Sequence, residues 1–337
     1  MKKKILLTGA TGYVGGLLLE RLISEGYGVH VLARSPDKIM KRTGVEVFKG
    51  DIRDREAVAS AMKECDVAFY LVHGLNSHTD FEYEEALSAQ NFASAANRAS
   101  LSKIIYLGGL GGEDALSPHL RSRHLTGKIL ALGKTPVTEF RASIVLGKNS
   151  TSYGIMKLLV QRLPFLVDPL NLRSLCQPIA EEDLIQYLFL EIERESAESR
   201  IIEIGGSDRT TYSGLLLRLA LHSGIQRPLV PVPEIDPRIL AEAFELVCPE
   251  YARVGRHLLE SLSYPTVQNE IESAKQLFPA ILPMGITEAL DRIGTFSSSP
   301  RDLIAPAHLA RILASFVDRF PALALGLPKP LRAILGI

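Results

Sequence analysis

The stretch RSRHLTGK, residues 121–128, places a histidine and a lysine four residues apart. Four residues are about one helical turn, so His124 and Lys128 would be neighbours on one helix face, with Arg121 in the same row. Imidazole titrates near pH ~6.5 and can transfer protons at neutral pH, although two cations within a turn disfavour its charged form. His124 is therefore interpreted in three ways: as an acid or base, as a polar group that orients cofactor or substrate, or as a structural residue.

The apolar residues of the same segment indicate which side of the helix is buried. Leu125, Ile129 and Leu132 recur at helical spacing and form a predicted apolar stripe. The row of His124 and Lys128 borders this stripe. We therefore expect the pair at the edge of the buried face rather than in open solvent.

A glycine-rich turn in LLTGATGYVGG lies between an apolar run and a helical pattern. Gly9 would allow a tight turn, Gly12 would let the backbone approach a pyrophosphate, and Gly15 would let the helix pack closely on the strand. The helix N-terminus would then face the phosphates. This context predicts a dinucleotide site, with a plain glycine turn as the alternative. The residues assigned to binding at this turn are Gly9, Thr11, Gly12, Tyr13, Val14 and Gly15.

The ends of the second and third predicted strands indicate which dinucleotide binds. VHVLARSPDK has Arg34 and Ser35 where an NAD-binding protein has Asp or Glu to hold the ribose 2′-hydroxyl. A guanidinium suits a 2′-phosphate, so NADP(H) is favoured over NAD(H), with Ser35 and Lys38 as weaker contributors. A solvated Arg34 is the alternative, but it explains the missing carboxylate less well. In GDIRD, Asp51 and Ile52 suit the adenine amine and the adenine face.

Composition excludes several classes of protein. The 337 residues carry 38 Lys plus Arg and 38 Asp plus Glu, so the formal net charge is zero and no nucleic-acid partner is indicated. No apolar run reaches the roughly 18–20 residues of a transmembrane helix, and the N-terminal run is too short for a signal peptide. Cys65, Cys176 and Cys248 show neither CxxC spacing nor an even count, so no metal site or disulfide framework is expected. A reducing cytoplasm fits these features best.

Short apolar runs alternate with helical patterns along the first half of the chain. This alternation predicts an α/β fold, a doubly wound parallel sheet of the Rossmann type with helices on both faces. The predicted strands lie in KILLT, GVHVLA, VEVF, DVAFYLV, KIIYLG and PVTEFRASIVLG and at residues 201–204. The predicted helices cover residues 13–24, 55–63, 81–99, 118–132, 153–161 and 181–193.

Three segments are predicted along the chain. Residues 1–205 would form the NAD(P)-binding Rossmann domain and residues 206–296 a smaller, mostly helical region on the substrate side. Residues 297–337 begin with a Ser-Pro cluster typical of a linker and continue into an amphipathic helix. That helix would pack on the domain, on a partner or on a membrane surface, and the organisation is compatible with a homo-oligomer.

Several of these motifs together resemble the short-chain dehydrogenase/reductase superfamily, namely TGATGYVG, the arginine after the second strand, GDIRD, FYLVHGL, AQNFASAA and RASIVLG. The chain is most similar to the extended and atypical branch, the NmrA-like NAD(P)H-binding proteins often labelled nucleoside-diphosphate-sugar epimerase-like. The resemblance covers residues 3–205 well. It implies that Leu71, Val72 and His73, at the end of the fourth strand, pass the nicotinamide ribose.

The resemblance also implies a catalytic set from which this chain departs. Active members have a Ser after the fifth strand and a Tyr-x-x-x-Lys pair on the next helix, in which the Tyr is acid or base and the Lys lowers its pKa and binds ribose hydroxyls. Here Gly108 and Gly109 stand in the place of the Ser, and His124 stands in the place of the Tyr. Of that set only Lys128 is kept.

Other residues match family positions less specifically. Tyr153 and Lys157, with Ser152 beside them, repeat the spacing of the pair, but they follow the sixth strand whereas the family pair precedes it. Asn91 matches a family asparagine, and capping or packing explains it equally well. The acids at 181–183 match a family element at a helix start, where carboxylates are favourable in any case.

Two functions follow from these residues. The first is an NADPH-dependent oxidoreductase that reduces a small carbonyl or enone-type substrate, with Lys128 on the ribose and His124 or a water donating the proton. The second is a non-catalytic NADP(H) sensor or a structural assembly subunit, as in the Rossmann-fold accessory subunit of respiratory complex I. Sugar-nucleotide epimerisation is disfavoured because it relies on the tyrosine that this chain lacks.

Overall fold

The computed structural model of the chain describes residues 2–72, 81–112, 116–195, 197–269, 271–299, 301–305 and 308. The strands are β1 (Lys4–Thr8), β2 (Gly28–Ala33), β3 (Val45–Lys49), β4 (Val67–Tyr70), β5 (Lys103–Gly109), β6 (Val137–Ala142), β7 (Val145–Leu146), β8 (Leu166–Pro169), β9 (Leu175–Cys176), β10 (Ile179–Ala180), β11 (Arg200–Ile204), β12 (Thr210–Thr211) and β13 (Leu229–Val232). The helices are α1 (Tyr13–Ser24), α2 (Arg55–Met62), α3 (Phe81–Ala99), α4 (Pro118–Ala131), α5 (Thr151–Arg162), α6 (Glu181–Leu190), α7 (Tyr212–His222), α8 (Pro237–Val247), α9 (Ala252–Ser261), α10 (Ile271–Leu277) and α11 (Ile286–Ile293).

Seven strands form one parallel sheet in the order β11-β6-β5-β4-β1-β2-β3. The chain winds from β1 to β3 toward one edge and from β4 to β11 toward the other, so the strand order reverses between β1 and β4. Such a reversal is the switch point at which open α/β sheets bind ligands, outside the carboxyl ends of the strands. The predicted doubly wound α/β fold is confirmed.

Helices cover both faces of this sheet because its central strands are apolar on both sides. Ile5 and Leu7 of β1 belong to the apolar cluster that also contains residues of α1 and α6. Leu6, between them, belongs to the cluster formed with α2, α3 and α4. The alternation of side chains along a strand thus divides the core into two layers.

The sequence pattern located most elements of the main sheet within one or two residues, but it missed one break. PVTEFRASIVLG was predicted as a single strand, whereas β6 ends at Ala142 and β7 pairs with β10 instead of extending the main sheet. The backbone N–H of Ile179 donates to Ile144 O at 2.9 Å between the two strands. The partner that redirects the chain thus lies more than 30 residues further along, and local periodicity cannot reveal it.

The chain forms two compact units whose boundaries differ from the predicted segments. The first unit comprises Met1–Ser150, Gln177–Arg209 and Thr266–Ile286, and the second comprises Thr151–Cys176, Thr210–Pro265 and Thr287–Ile337. We predicted contiguous segments at residues 1–205 and 206–296. The observed division is interleaved, because each unit recruits segments that are distant in sequence.

The second unit is built from pairings between such distant segments. β8 pairs in parallel with β13, and β9 pairs in antiparallel fashion with β12. Ile155 of α5 packs in one apolar cluster with Phe244 and Val247 of α8. The unit is mostly helical, as predicted for the C-terminal region, although β12 and β13 were not anticipated.

No described helix is long and apolar enough to cross a bilayer. The amphipathic helix was predicted within the tail at residues 297–337, of which the structure describes only residues 297–299, 301–305 and 308.

A buried ion pair in the first unit connects the sheet to the end of α6. Lys103 at the start of β5 is 2% exposed, and its Nζ lies 2.9 Å from Glu191 Oε1 and 2.9 Å from Glu191 O. Thr138 of β6 donates its hydroxyl to the same carboxylate oxygen at 2.7 Å. Burial lowers the pKa of Lys103, and the Glu191 carboxylate opposes that shift. Periodicity alone gave no sign of this pair.

Replacing Lys103 by Met should lower the free energy of unfolding by about 3 kcal/mol, because the buried Glu191 carboxylate then keeps only Arg194, whose Nε lies 3.4 Å from Glu191 Oε2. Urea unfolding followed by circular dichroism measures this loss. The matched control is Arg42→Met, which breaks an ion pair with Glu20 that is partly exposed on both sides. The control should cost less than about 1 kcal/mol. Equal losses in the two variants would contradict the structural role of the buried pair.

Candidate functional site

The glycine-rich turn joins β1 to α1 at the switch point, and its geometry requires glycine. Gly9 has φ of 77°, and a Cβ there would lie 2.5 Å from Leu71 O. A Cβ on Gly15 would overlap the carbonyl of Gly9. Gly12 is the N-cap residue of α1 and offers no side-chain acceptor to the N–H groups of the first turn. The turn is thus a cradle that a Cβ would fill, and it fits a pyrophosphate at the N-terminus of α1.

The hydroxyl of Thr8 fixes this turn against the neighbouring strand. Thr8 Oγ1 donates to Phe69 O at 2.8 Å and accepts from the backbone N–H of Leu71 at 3.3 Å. These bonds join the carboxyl ends of β1 and β4. They fix the turn at the edge of the sheet along which a dinucleotide would lie.

A cavity of about 540 Å³ opens beside the turn. Eight of the predicted binding residues line it, namely Gly9, Thr11, Gly12, Arg34, Asp51, Ile52, Leu71 and Val72. Tyr13, Val14, Gly15 and Ser35 are not among its lining residues; the first three begin α1, and Ser35 follows Arg34 directly. His73 lies outside the described residues. The topology therefore gathers residues from four strand ends around one cavity.

Two arginines provide positive charge in this cavity. Arg34 was predicted, whereas Arg53 was not singled out although it stands two residues after Asp51 in GDIRD. Arg53 holds the Asp51 carboxylate through Nε to Oδ1 and Nη2 to Oδ2, both at 3.0 Å, and reaches Glu84 at 3.2 Å. The hydrogen bonds from Arg53 lower the pKa of Asp51, and the charge of Arg34 adds to this effect. Asp51 is thus ionised and already partnered where an adenine amine was expected.

Asn91 supports the loop that carries Arg53. Its side-chain amide donates to Arg53 O at 2.8 Å, from the buried face of α3. This contact supports the packing interpretation of Asn91.

His124 and Lys128 have different environments although they lie one turn apart on α4. His124 is 3% exposed, and its Nε2 lies 3.0 Å from Gly109 O at the end of β5. Lys128 and Arg121 are exposed. Neither member of the pair lines the 540 Å³ cavity. Their roles toward a cofactor or substrate stay predictions.

The predicted apolar stripe of this helix was wrong for two of its three residues. Ile129 is buried, whereas Leu125 is 43% exposed and Leu132 is 85% exposed. The inner face of α4 instead carries many polar and small residues, namely His119, Ser122, His124, Thr126 and Gly127 beside Leu120 and Leu130. A hydrophobic periodicity cannot identify a buried face that is largely polar.

A buried carboxylate occupies the space near the missing serine. A Cβ on Gly108 would lie 2.7 Å from Glu139 Oε1, and a Cβ on Gly127 would overlap Glu139 Oε2. Glu139 and Arg141 are buried on β6, with Arg141 Nε donating to Glu139 Oε1 at 2.7 Å. Burial raises the pKa of Glu139, and Arg141 opposes that shift. Charged residues at alternate positions of the strand PVTEFRA were the signal that could have revealed this pair.

The Tyr153 and Lys157 pair lies in the second unit. Tyr153 is buried and its ring packs edge-on against Phe296, with ring centroids 6.5 Å apart. Lys157 Nζ lies 5.5 Å from the centroid of the same ring. These contacts agree with the packing interpretation.

The acids at the start of α6 also have structural contacts. Asp183 is buried, and its Oδ2 accepts the backbone N–H of Met284 at 2.7 Å. This bond holds the segment at Met284 to the start of α6.

Neither a metal centre nor a reactive thiol emerges from the described residues. No cluster of three or more His, Cys, Asp or Glu residues among them could hold a metal ion. Cys65, Cys176 and Cys248 are free and buried, and burial raises the pKa of each thiol to about 12. Such thiols are protonated at neutral pH and poor nucleophiles.

Comparison with known proteins agrees with this geometry. Residues 9–135 match the family model described as NAD(P)H-binding. A (4-alkanoyl-5-oxo-2,5-dihydrofuran-3-yl)methyl phosphate reductase of Streptomyces griseus is 37% identical over 101 residues, which are 30% of this chain and 34% of that protein. An NmrA-like family domain-containing protein of Dictyostelium discoideum is 32% identical over 99 residues, which are 28% of this chain and 32% of that protein. The chain thus matches only about a third of the length of these relatives.

Solved structures share the fold over a larger part of the chain. The triphenylmethane reductase of Citrobacter sp., complexed with NADP(H), has a TM-score of 0.68 at 19% identity and covers 86% of this chain and 100% of its own. A nucleoside-diphosphate-sugar epimerase of Staphylococcus aureus has a TM-score of 0.65 at 17% identity and covers 84% and 98%. The matched family model, the glycine cradle and the shared fold together show that the first unit of this chain contains an NAD(P)H-binding domain of the Rossmann type, and an NmrA-like protein is among its relatives.

Proposed function

We propose that the chain is an NADPH-dependent oxidoreductase that reduces a small carbonyl or enone-type substrate. The observation that carries the proposal is the cavity at the switch point, where the glycine cradle and Arg34 line one continuous surface. A bound NADPH would supply a hydride. The protein would supply the cradle for the pyrophosphate, the charge for the 2′-phosphate and the groups that orient the substrate carbonyl.

The preference for NADP(H) rests on charge at the adenosine end of the cavity. β2 ends at Ala33, and the next residue is an exposed arginine rather than a carboxylate. Asp51, which lines the same cavity, is held by Arg53. A ribose 2′-hydroxyl therefore meets no free carboxylate among these residues, while a 2′-phosphate would meet the Arg34 guanidinium. The NADP(H) complex of the Citrobacter reductase supports this proposal.

The contact of His124 bears on the source of the proton. A neutral imidazole carries one N–H, and a Nε2–H placed 3.0 Å from Gly109 O would donate to that carbonyl. That proton then orients the ring and is not delivered to a substrate. The geometry favours the orienting role of His124, with a water as the proton donor.

The alternative function is a non-catalytic NADP(H) sensor or a structural subunit. It is favoured by the filled space at Gly108, where Glu139 Oε1 would lie 2.7 Å from an added Cβ. The site therefore leaves no room for a serine at Gly108 unless Glu139 moves. We place this function second because both the Streptomyces griseus relative, which matches in sequence, and the Citrobacter protein, which matches in fold, are named as reductases.

Arg34→Ala should weaken NADPH binding about 10- to 100-fold, because it removes a charge-assisted contact with the 2′-phosphate worth roughly 1.5 to 3 kcal/mol. NADH binding should change little, so the preference of the wild type for NADPH should disappear. Calorimetric titration with both cofactors measures this. Arg42→Ala removes a cation that does not line the cavity and serves as the control. Equal affinity of the wild type for the two cofactors would refute the assignment of Arg34.

Gly12→Ala should weaken binding of both dinucleotides at least about tenfold, since its Cβ would stand where the pyrophosphate approaches the backbone. The fold should survive, because this Cβ meets only Gly9 O at 3.1 Å. The control is Gly16→Ala on the same helix, where the added Cβ makes an ordinary contact of 3.6 Å with Ala10 O. Unchanged binding in the Gly12 variant, with its thermal midpoint preserved, would mean that phosphates do not bind at this turn.

Catalysis is tested by NADPH oxidation over a panel of aldehydes, ketones, quinones and enones. We expect turnover by the wild type, a partial loss of about tenfold in His124→Ala because the orienting contact is removed, and no change in Tyr153→Phe. If NADPH binds tightly but no member of the panel is reduced, the sensor or structural function replaces the reductase.

A further inference from the structure

The end of β5 shows which group stands near the position of the missing hydroxyl. The point that a Cβ of Gly109 would occupy lies 2.6 Å from Leu120 Cδ2, 3.4 Å from Arg123 Cδ and 3.6 Å from Arg123 Nε. Leu120 and Arg123 both come from α4. The space that a side chain at Gly109 would fill is thus bordered by the apolar Leu120 side chain and the Arg123 guanidinium. Arg123 was not among the predicted site residues.

Hydrogen bonds hold both the backbone carbonyl and the guanidinium of Arg123 in place. The hydroxyl of Tyr106 donates to Arg123 O at 2.9 Å and anchors the helix backbone to β5. Arg123 Nη2 donates to Leu107 O. β4 pairs with β5 only as far as Tyr70 and Tyr106. The carbonyl of Leu107 is beyond that last pair, and Arg123 reaches it at the carboxyl edge of the sheet.

One donor of this guanidinium, Arg123 Nε, is buried without a hydrogen-bond partner among the described residues. Buried N–H groups are rarely left unpaired, and those that are call for a ligand or a water. Arg123 as a whole is half-buried.

In the described part of the chain Arg123 forms no ion pair, although its charge helps to lower the pKa of the nearby Glu139 carboxylate. Glu139 is engaged by Arg141, at 2.7 Å from Arg141 Nε. A partly desolvated cation with a free N–H is the kind of group that stabilises negative charge developing on an oxygen.

We propose that Arg123 is the electrophilic group of this site, donating a hydrogen bond to the substrate oxygen in place of the missing serine and tyrosine hydroxyls. The proposal rests on the proposed reductase function. The carbonyl carbon receives the hydride of NADPH, which leaves as NADP⁺, and the C=O π pair moves onto oxygen beside the guanidinium. The guanidinium keeps its proton, and the oxygen takes a proton from water, which leaves hydroxide to the buffer.

This assignment explains why the loss of both hydroxyls can be tolerated. A hydroxyl stabilises an oxyanion as a neutral donor, whereas a guanidinium adds a full charge and stays protonated at any physiological pH. It cannot be the proton donor. His124 is the next residue on α4. Its contact with the carbonyl of Gly109 would hold the helix against the end of β5 beside Arg123.

The test uses 4-nitrophenol, whose phenolate mimics a substrate oxyanion and absorbs differently from the neutral phenol. In the full chain saturated with NADP⁺, the bound probe should show at least about a tenfold higher ratio of phenolate to phenol than in water at the same pH. Arg123→Met should abolish this enrichment. Arg123→Lys keeps the charge but loses the Nε–H, and it should retain only part of it.

Arg121→Met is the matched control, since Arg121 lies two residues away on the same helix and is exposed. It should bind the probe as the wild type does. The inference is overturned if the wild type does not enrich the phenolate, or if Arg121→Met and Arg123→Met lower the enrichment equally. Far-ultraviolet circular dichroism checks the fold of each variant. If Arg123→Met does not fold, the result for Arg123→Lys tests the proposal.

Failure of the proposed function has a different signature. If the wild type binds no NADPH or reduces no carbonyl, the reductase proposal fails, and 4-nitrophenol titration of the cofactor-free chain still reports on Arg123. If NADPH binds and carbonyls are reduced while phenolate is not enriched, the reductase stands and Arg123 is not its electrophile.

Discussion

The close approach of two backbone segments at the switch point is the constraint on which the nucleotide site depends. The turn after β1 runs so near to Leu71 and to itself that neither Gly9 nor Gly15 can carry a Cβ. Because α1 starts from this turn, its N-terminal N–H groups lie beside the switch point, where the strand order reverses between β1 and β4. The glycines thus determine both the packing of helix on strand and the position of the phosphates. The same glycines are therefore required both for the fold and for the cofactor site.

The opposite layer of the domain follows a second constraint, the burial of charge beneath α4. Glu139 and Arg141 lie on the face of β6 that this helix covers, and Gly108 and Gly127 make room for the carboxylate. An added side chain at either glycine would displace Glu139. The absence of a serine at Gly108 is thus coupled to the buried ion pair between Glu139 and Arg141 on β6.

Much of this organisation could be predicted from the sequence because it is local. Apolar runs of four to seven residues predicted the strands, and the helix from Tyr13 to Ser24 was located to the residue. The glycine turn and Arg34 were identified by spacing alone, and the cavity gathers them with Asp51 and Ile52. These predictions succeeded because strand order in a right-handed, doubly wound fold follows chain order within each half.

Other features were out of reach because distant segments decide them. Whether a strand ends at Ala142 depends on Ile179, and the interleaved second unit depends on residues after Thr210 meeting those after Thr151. The face of α4 was misjudged because its buried side pairs with Glu85 and Glu139, which lie on other elements.

The sequence by itself determined the fold class, the glycine cradle and the basic character of the adenosine end, since each follows from residue types at fixed local spacing. Only the tertiary structure decided that Arg53 engages Asp51, that His124 contacts Gly109 while Lys128 faces outward, and that Arg123 stands beside the position of the missing hydroxyl. The physical reason is that hydrogen bonds and ion pairs act over a few ångströms. Which groups come that close is set by the packing of helix on sheet, and no spacing along the chain encodes it.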